Sequence, residues 1–264
     1  MNFSLIDTRS IIVFFLLFVR IAAMLAIAPI FSIRSIPPQL KIALALFLAY
    51  IVSQVLAGTL PAWDSKDISI INIGLMVLSE AILGLLIGYT SQMIFIAIQF
   101  GGRILDIAMG MHLASVVNPM TQEQQSLIGQ LQYITAILLF VLLNGHHYLI
   151  LGVIKSFSYI PSGFLVFKEH FGESFLGLFG NAFIIGVNLA LPIAAILFLI
   201  DLSLGIIAKG VPQMNVFITG MPIKQMTGFL LLFFVYSFYG EFFVKMPELC
   251  YKYMITILKA LSYG

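Results

Sequence analysis

Six stretches of this chain, roughly 11–31, 40–60, 68–98, 127–154, 176–207 and 224–244, are filled nearly without interruption by Val, Ile, Leu, Phe and Ala. Each matches or nearly matches the ~20 residues that a helix needs to cross a bilayer. Apolar runs of that length can satisfy their own backbone in lipid only as helices, or as strands closed into a barrel. A barrel demands alternation of polar and apolar residues with period two, and no such alternation is present. The expected fold is therefore an all-α membrane protein with about six long apolar helices. Composition agrees. Charged residues are 9% of the 264 and hydrophobic residues 61%, against about 25% charge in a soluble domain. The net charge of +2 is too small to suggest a nucleic-acid partner. Cys250 is alone, so no intrachain disulfide can form.

The breaks between the runs carry as much information as the runs. Asp7 and Arg9 precede the first one, Arg20 interrupts it, and no small-residue cleavage site is evident, so it reads as a helix of the mature protein. Pro29 ends it, and Pro37–Pro38 precede the second. Pro61-Ala-Trp63-Asp64 closes the second, with Trp63 suited to an interface. Pro192 lies inside the fifth and is expected to kink it. Pro212 and Pro222 bracket a polar turn, KGVPQMNVFITGMP, and an amphipathic tail follows at 245–264 with Lys245, Lys252 and Lys259. The segment 100–120, FGGRILDIAMGMHLASVVNPM, reads as a long, mildly apolar connection. Lipid cannot satisfy such a backbone, so it must be sheltered by protein or line a cavity. Lys and Arg are divided almost evenly between the two sides of a six-span arrangement, which fits poorly with a plain six-helix bundle.

Few residues suggest chemistry. Glu80, Gly84 and Gly88 combine a buried acid with glycines four apart, a spacing that lets a second helix approach closely. Glu80 reads first as part of helix packing and second as a proton carrier. Arg20 and Asp201 are the other charges inside apolar runs, and an inter-helix ion pair is the preferred reading of each. His146 and His147 are adjacent and point about 100° apart on a helix, which suits a helix end better than a metal site. No spaced His/Cys set, nucleophile elbow, phosphate-binding loop or dinucleotide fingerprint is present. Asp106 and Asp201 lack the surrounding motif of an aspartyl dyad. The chain is not expected to be an enzyme or to hold a cofactor. Met109, Met111 and Met120 cluster in the 100–120 break. Flexible thioethers can seal a pore, and they can equally fill gaps in packing.

With these residues in hand, the chain resembles the FliR family, export-gate proteins of flagellar type III secretion, whose sister group serves virulence secretion. The resemblance is carried by Arg20-Ile-Ala-Ala-Met with Ala28-Pro29-Ile30-Phe31, the Glu80/Gly84/Gly88 helix, and Gly101-Gly102-Arg103 through Asn118-Pro119. Asn144-Gly145-His146, Ala190-Leu191-Pro192, and Asp201 through Pro212-Gln213-Met-Asn215-Val-Phe217 extend it. It implies a non-enzymatic subunit whose helices form tilted hairpins in a helical assembly with FliP-like and FliQ-like subunits. It also implies a FliP-like part at 1–185, a FliQ-like hairpin at 186–245 and the tail at 246–264. The loop at 106–122 would be a pore plug, with Met109, Gly110, Met111, Leu113, Val116, Val117, Pro119 and Met120 at the seal and Gly102 and Gly110 giving freedom to fold back. Pro212, Gln213 and Asn215 would lie in a turn facing a FlhB-like switch protein in the cytoplasm. The chain would sit in the bacterial inner membrane at the flagellar basal body and pass unfolded flagellar subunits. A small secondary transporter with a solute site at broken helices is the alternative reading.

Overall fold

A computed structural model describes residues 8–32, 36–56, 69–111, 126–161, 170–210 and 216–262. All regular structure among them is helical: α1 (Thr8–Ile27), α2 (Pro38–Val55), α3 (Ile70–Ala108), α4 (Leu127–Leu142), α5 (Gly145–Tyr159), α6 (Phe171–Gly210), α7 (Val216–Phe238) and α8 (Gly240–Leu261). Three of them, α2, α3 and α6, are long and apolar enough to cross a membrane. The number rises to five if each broken pair, α4 with α5 and α7 with α8, is one span. The chain is an all-α membrane protein.

Six apolar stretches become eight helices because two of them break. The run 127–154 stops at Asn144, which takes a left-handed conformation (φ 56°). Asparagine tolerates that conformation better than most residues, and α5 starts directly after it. The second break falls at Tyr239, between α7 and α8. Conversely, the segment 100–120 is not a connection from its start. α3 continues through Gly101, Gly102 and Arg103 to Ala108. The reason is packing. A Cβ at Gly101 would lie 2.6 Å from the Gly186 carbonyl oxygen of α6, and one at Gly102 would run into the backbone of Gly129 in α4. Both glycines serve close helix contacts, so Gly102 is not a source of loop freedom. Likewise Pro222 lies inside α7 rather than closing a turn.

α6 is one continuous helix through Pro192. A proline removes the donor for the carbonyl four residues back, here Asn188. Beside it the Tyr239 hydroxyl donates to the neighbouring Leu189 carbonyl at 2.8 Å and lies 3.5 Å from the Asn188 carbonyl.

The chain forms two compact units, interleaved in sequence. Unit 1 holds residues 1–93, 144–178 and 247–264. Its α1 buries Leu16, Leu17, Arg20, Ile21, Met24 and Leu25, one face at helical spacing. α2 meets α1 through small or short side chains, Ala45, Ala49 and Val52, while Leu40, Phe47, Tyr50 and Val55 stay exposed. An apolar outer face of this kind is what lipid or a membrane partner covers. The end of α8 buries Cys250, Met254, Ile257, Leu258 and Leu261, and Met254 fills the space over Gly152 of α5. Unit 2 holds residues 94–143 and 179–246. Its core joins Leu105 and Met109 with Ile128, Ala190, Ile193, Leu197 and Leu232.

Candidate functional site: two buried acids on one helix

The first buried centre crosslinks unit 1. Arg20 donates from Nε to Glu80 Oε2 at 2.5 Å and from Nη2 to Glu80 Oε1 at 3.0 Å. Its remaining donors reach Ser156 Oγ at 3.0 Å and the Ile160 carbonyl at 3.1 Å. The Phe157 ring lies 3.9 Å from the guanidinium carbon, close enough for a cation–π contact. Arg20 and Glu80 are wholly buried. The planar guanidinium suits this place because it bonds a carboxylate with two parallel N–H groups and keeps donors for other acceptors. One side chain from α1 is thereby tied to α3, to α5 and to the residue that follows α5.

The glycines after Glu80 make that contact possible. A Cβ at Gly84 would collide with the Arg20 carbonyl oxygen, and one at Gly88 would sit 2.7 Å from that of Met24. Glycine four residues apart thus brings the α1 backbone against α3 at the level of the ion pair. Apart from this cluster, unit 1 contains an apolar cavity of about 160 Å³ between α1, α2 and α5, with His146 at its wall.

The second centre lies in unit 2, where the chain leaves α3 and enters α4. Asp106 is 1% exposed. Its Oδ1 accepts from the backbone N–H of Ile128 at 3.1 Å, and its Oδ2 accepts from the Ser126 hydroxyl. Ser126 Oγ in turn accepts from the Gly129 N–H at 2.8 Å and caps α4. The acid meets the positive end of a helix and its free N–H groups, a favourable place for a carboxylate. The result is a clasp joining residues 20 apart in sequence. α3 ends just beyond it. Met111 N–H bonds the Asp106 carbonyl at 3.0 Å, Gly110 N–H bonds that of Ile107 at 3.0 Å, and Gly110 has φ +74°. These are the bonds of a Schellman stop, which glycine fits without a Cβ clash.

Of the residues expected at a plug, Met109 is fully buried in the unit 2 core, packed over Gly228 of α7. Met111 lies partly buried against the same core. Leu113, Val116, Val117, Pro119 and Met120 lie outside the described residues, as do Pro212, Gln213 and Asn215. Asp201 is bonded to Lys224 at 2.8 Å, from α6 to α7. Asp106 and Asp201 thus serve separate partners. Arg103 projects from α3 and is exposed. No group of three or more metal-ligating side chains occurs among the described residues.

Sequence reasoning missed Ser156, Ile160 and Phe157 around Arg20, because nothing local marks them. Ser126 was findable, as a serine directly before an apolar helix is an N-cap signal.

The family described as "Bacterial export proteins, family 1" matches residues 11–249. The chain is 37% identical to the flagellar biosynthetic protein FliR of Bacillus subtilis (strain 168), covering 83% of this chain and 84% of that one. It is 30% identical to the flagellar biosynthetic protein FliR of Buchnera aphidicola subsp. Schizaphis graminum, covering 93% and 94%. A shorter match, 32% identical over 63% of this chain, is to the Yop proteins translocation protein T of Yersinia pestis. With both buried centres and seven of the eight helices lying wholly or almost wholly inside the matched region, this chain belongs to the bacterial export proteins of family 1, in the company of the flagellar FliR proteins.

Proposed function

We propose that the chain is a gate component of the flagellar type III export apparatus, built into a pore through which unfolded flagellar subunits cross the bacterial inner membrane. The observation that supports it best is the length of α3 and α6. At 39 and 40 residues they are roughly 58 and 60 Å long, twice the ~30 Å of bilayer hydrocarbon. Both keep exposed apolar side chains toward each end, Ile71 and Ile107 on α3, Leu176 and Ile206 on α6. Lipid covers only half of such a helix when it stands upright, and apolar surface beyond it calls for neighbouring subunits. FliP-like and FliQ-like subunits are the partners in this reading, with a FlhB-like protein facing Pro212, Gln213 and Asn215.

In the same reading the plug of the closed pore lies within residues 106–122, beyond the end of α3 and the buried Met109, and the clasp at Asp106 ties the end of α3 to the start of α4 on either side of it. Apolar constrictions can gate by excluding water. Residues 1–185 act as the FliP-like part, 186–245 as the FliQ-like hairpin and 246–264 as the tail. Transport energy enters through other components.

Two measurements test this. Tagged and expressed with its genomic neighbours, the chain should purify with several copies of two small helical partners, as weighed by native mass spectrometry. A lone monomer or homodimer would remove the gate reading. Deleting residues 110–120 should then leave the complex intact and make the membrane conduct ions. Unchanged conductance with normal secretion would remove the plug assignment.

A further inference from the structure

One face of α3 in unit 2 is left open. Ile96, Phe100, Arg103 and Ile107 follow each other at steps of four, three and four residues. That spacing sets them in a single row, the kind of seam that a second helix covers in coiled-coil packing. Ile96 is 41% exposed and Ile107 62%. Arg103 is exposed and Phe100 half-buried, its ring 5.1 Å from that of Phe183. The other faces of the same stretch are closed, by Gly101 on Gly186, Gly102 on Gly129, and the buried Leu105 and Asp106.

Arg103 has no ion-pair partner among the described residues. Among the described residues the acids of unit 2 are otherwise occupied: Asp106 by Ser126 and Ile128, Asp201 by Lys224, Glu241 by Lys245. A guanidinium on an apolar helix face is costly in hydrocarbon unless an anion meets it. A lipid phosphate and a protein carboxylate both supply one. The headgroup layer, however, is a thin polar level, and Ile107 continues the apolar row a full turn beyond the arginine. A helix laid along the row covers Ile96 and Ile107 together and brings its anion to the middle.

We infer that this row is an interface for an apolar helix of another subunit, and that the helix carries an Asp or Glu that pairs with Arg103. A single polar residue inside an apolar seam sets register and partner, so Arg103 selects which helix docks and at what height. The inference rests on the proposed role in a hetero-oligomeric export gate.

The test places a photo-crosslinking amino acid at Ile107 of the full chain, expressed with its neighbours in cell membranes. The adduct should map to an apolar helix of another subunit, within one turn of an Asp or Glu. Arg103→Glu should reduce that adduct by about tenfold or more, since like charges then face each other. Exchanging the mapped acid for Arg in the Arg103→Glu background should restore it. Adducts confined to lipid or to this chain overturn the interface. So does an undiminished adduct in Arg103→Glu, or a loss that the charge exchange does not repair. If the wild-type chain purifies alone, the gate reading falls and the interface with it. If it assembles normally and only the Arg103 outcomes fail, the interface alone falls.

Discussion

Glu80 and Asp106 sit on the same helix, both buried, and are held in opposite ways. Glu80 faces a cation, and the pair is shared among three helices and a cation–π contact. Among the described residues Asp106 meets no cation, only a hydroxyl and a backbone N–H at the start of one helix. The first is a brace. Removing either member leaves a buried charge without compensation and slackens several helices at once. The second is a clasp whose bonds are all at one place, between the end of α3 and the start of α4. Two acids of similar burial are thus suited to different duties, one bracing three helices of unit 1 and one joining the end of α3 to the start of α4 in unit 2.

We predict the largest effect for Glu80→Ala. Stranding a buried Arg costs about 3–5 kcal/mol, and the level of folded protein in the membrane should collapse. Normal levels would show that Arg20 finds other acceptors and that Glu80 is no brace. Gly84→Leu comes next. Its side chain must displace the Arg20 backbone, an overpacking cost of about 1–3 kcal/mol, and complex yield should fall sharply. An unchanged yield would mean that α1 and α3 part easily, which weakens the contrast from the other side.

Asp106→Ala should cost less, about 1–2 kcal/mol, because the Ser126 hydroxyl and the Ile128 N–H lose their acceptor. Its distinguishing result is a complex still formed but with raised ion conductance. Reduced assembly without leak would make Asp106 another brace. The smallest effect belongs to Lys224→Ala. Its partner Asp201 is 48% exposed, and an ion pair of that kind contributes about 0.2–1 kcal/mol. Stability should barely move, measured by thermal unfolding in detergent. A loss as large as that of Glu80→Ala would mean that exposure does not separate these acids.

Much of the chain was readable in advance. The apolar runs, the glycines after Glu80 and the need of Arg20 for a counter-charge all follow from local sequence. The Gly101-Gly102 pair was misread as a loop, because glycine marks both loops and tight helix contacts and only the facing helix tells them apart. Asn144, too, was visible as a polar residue, but its left-handed turn is a conformation that asparagine permits and does not require.

What the sequence by itself determined is the solvent and the class. Long apolar runs without alternation can bury their backbone polarity in lipid only as helices, and composition needs no tertiary information. Which charges meet was decided by the tertiary structure alone. Arg20 lies 60 residues from Glu80 and 136 from Ser156, and a pattern with a period of a few residues holds no record of such distances. Ser126 and Asp106 are 20 apart, and their clasp exists only because Gly101, Gly102, Gly129 and Gly186 let three helices close to backbone contact.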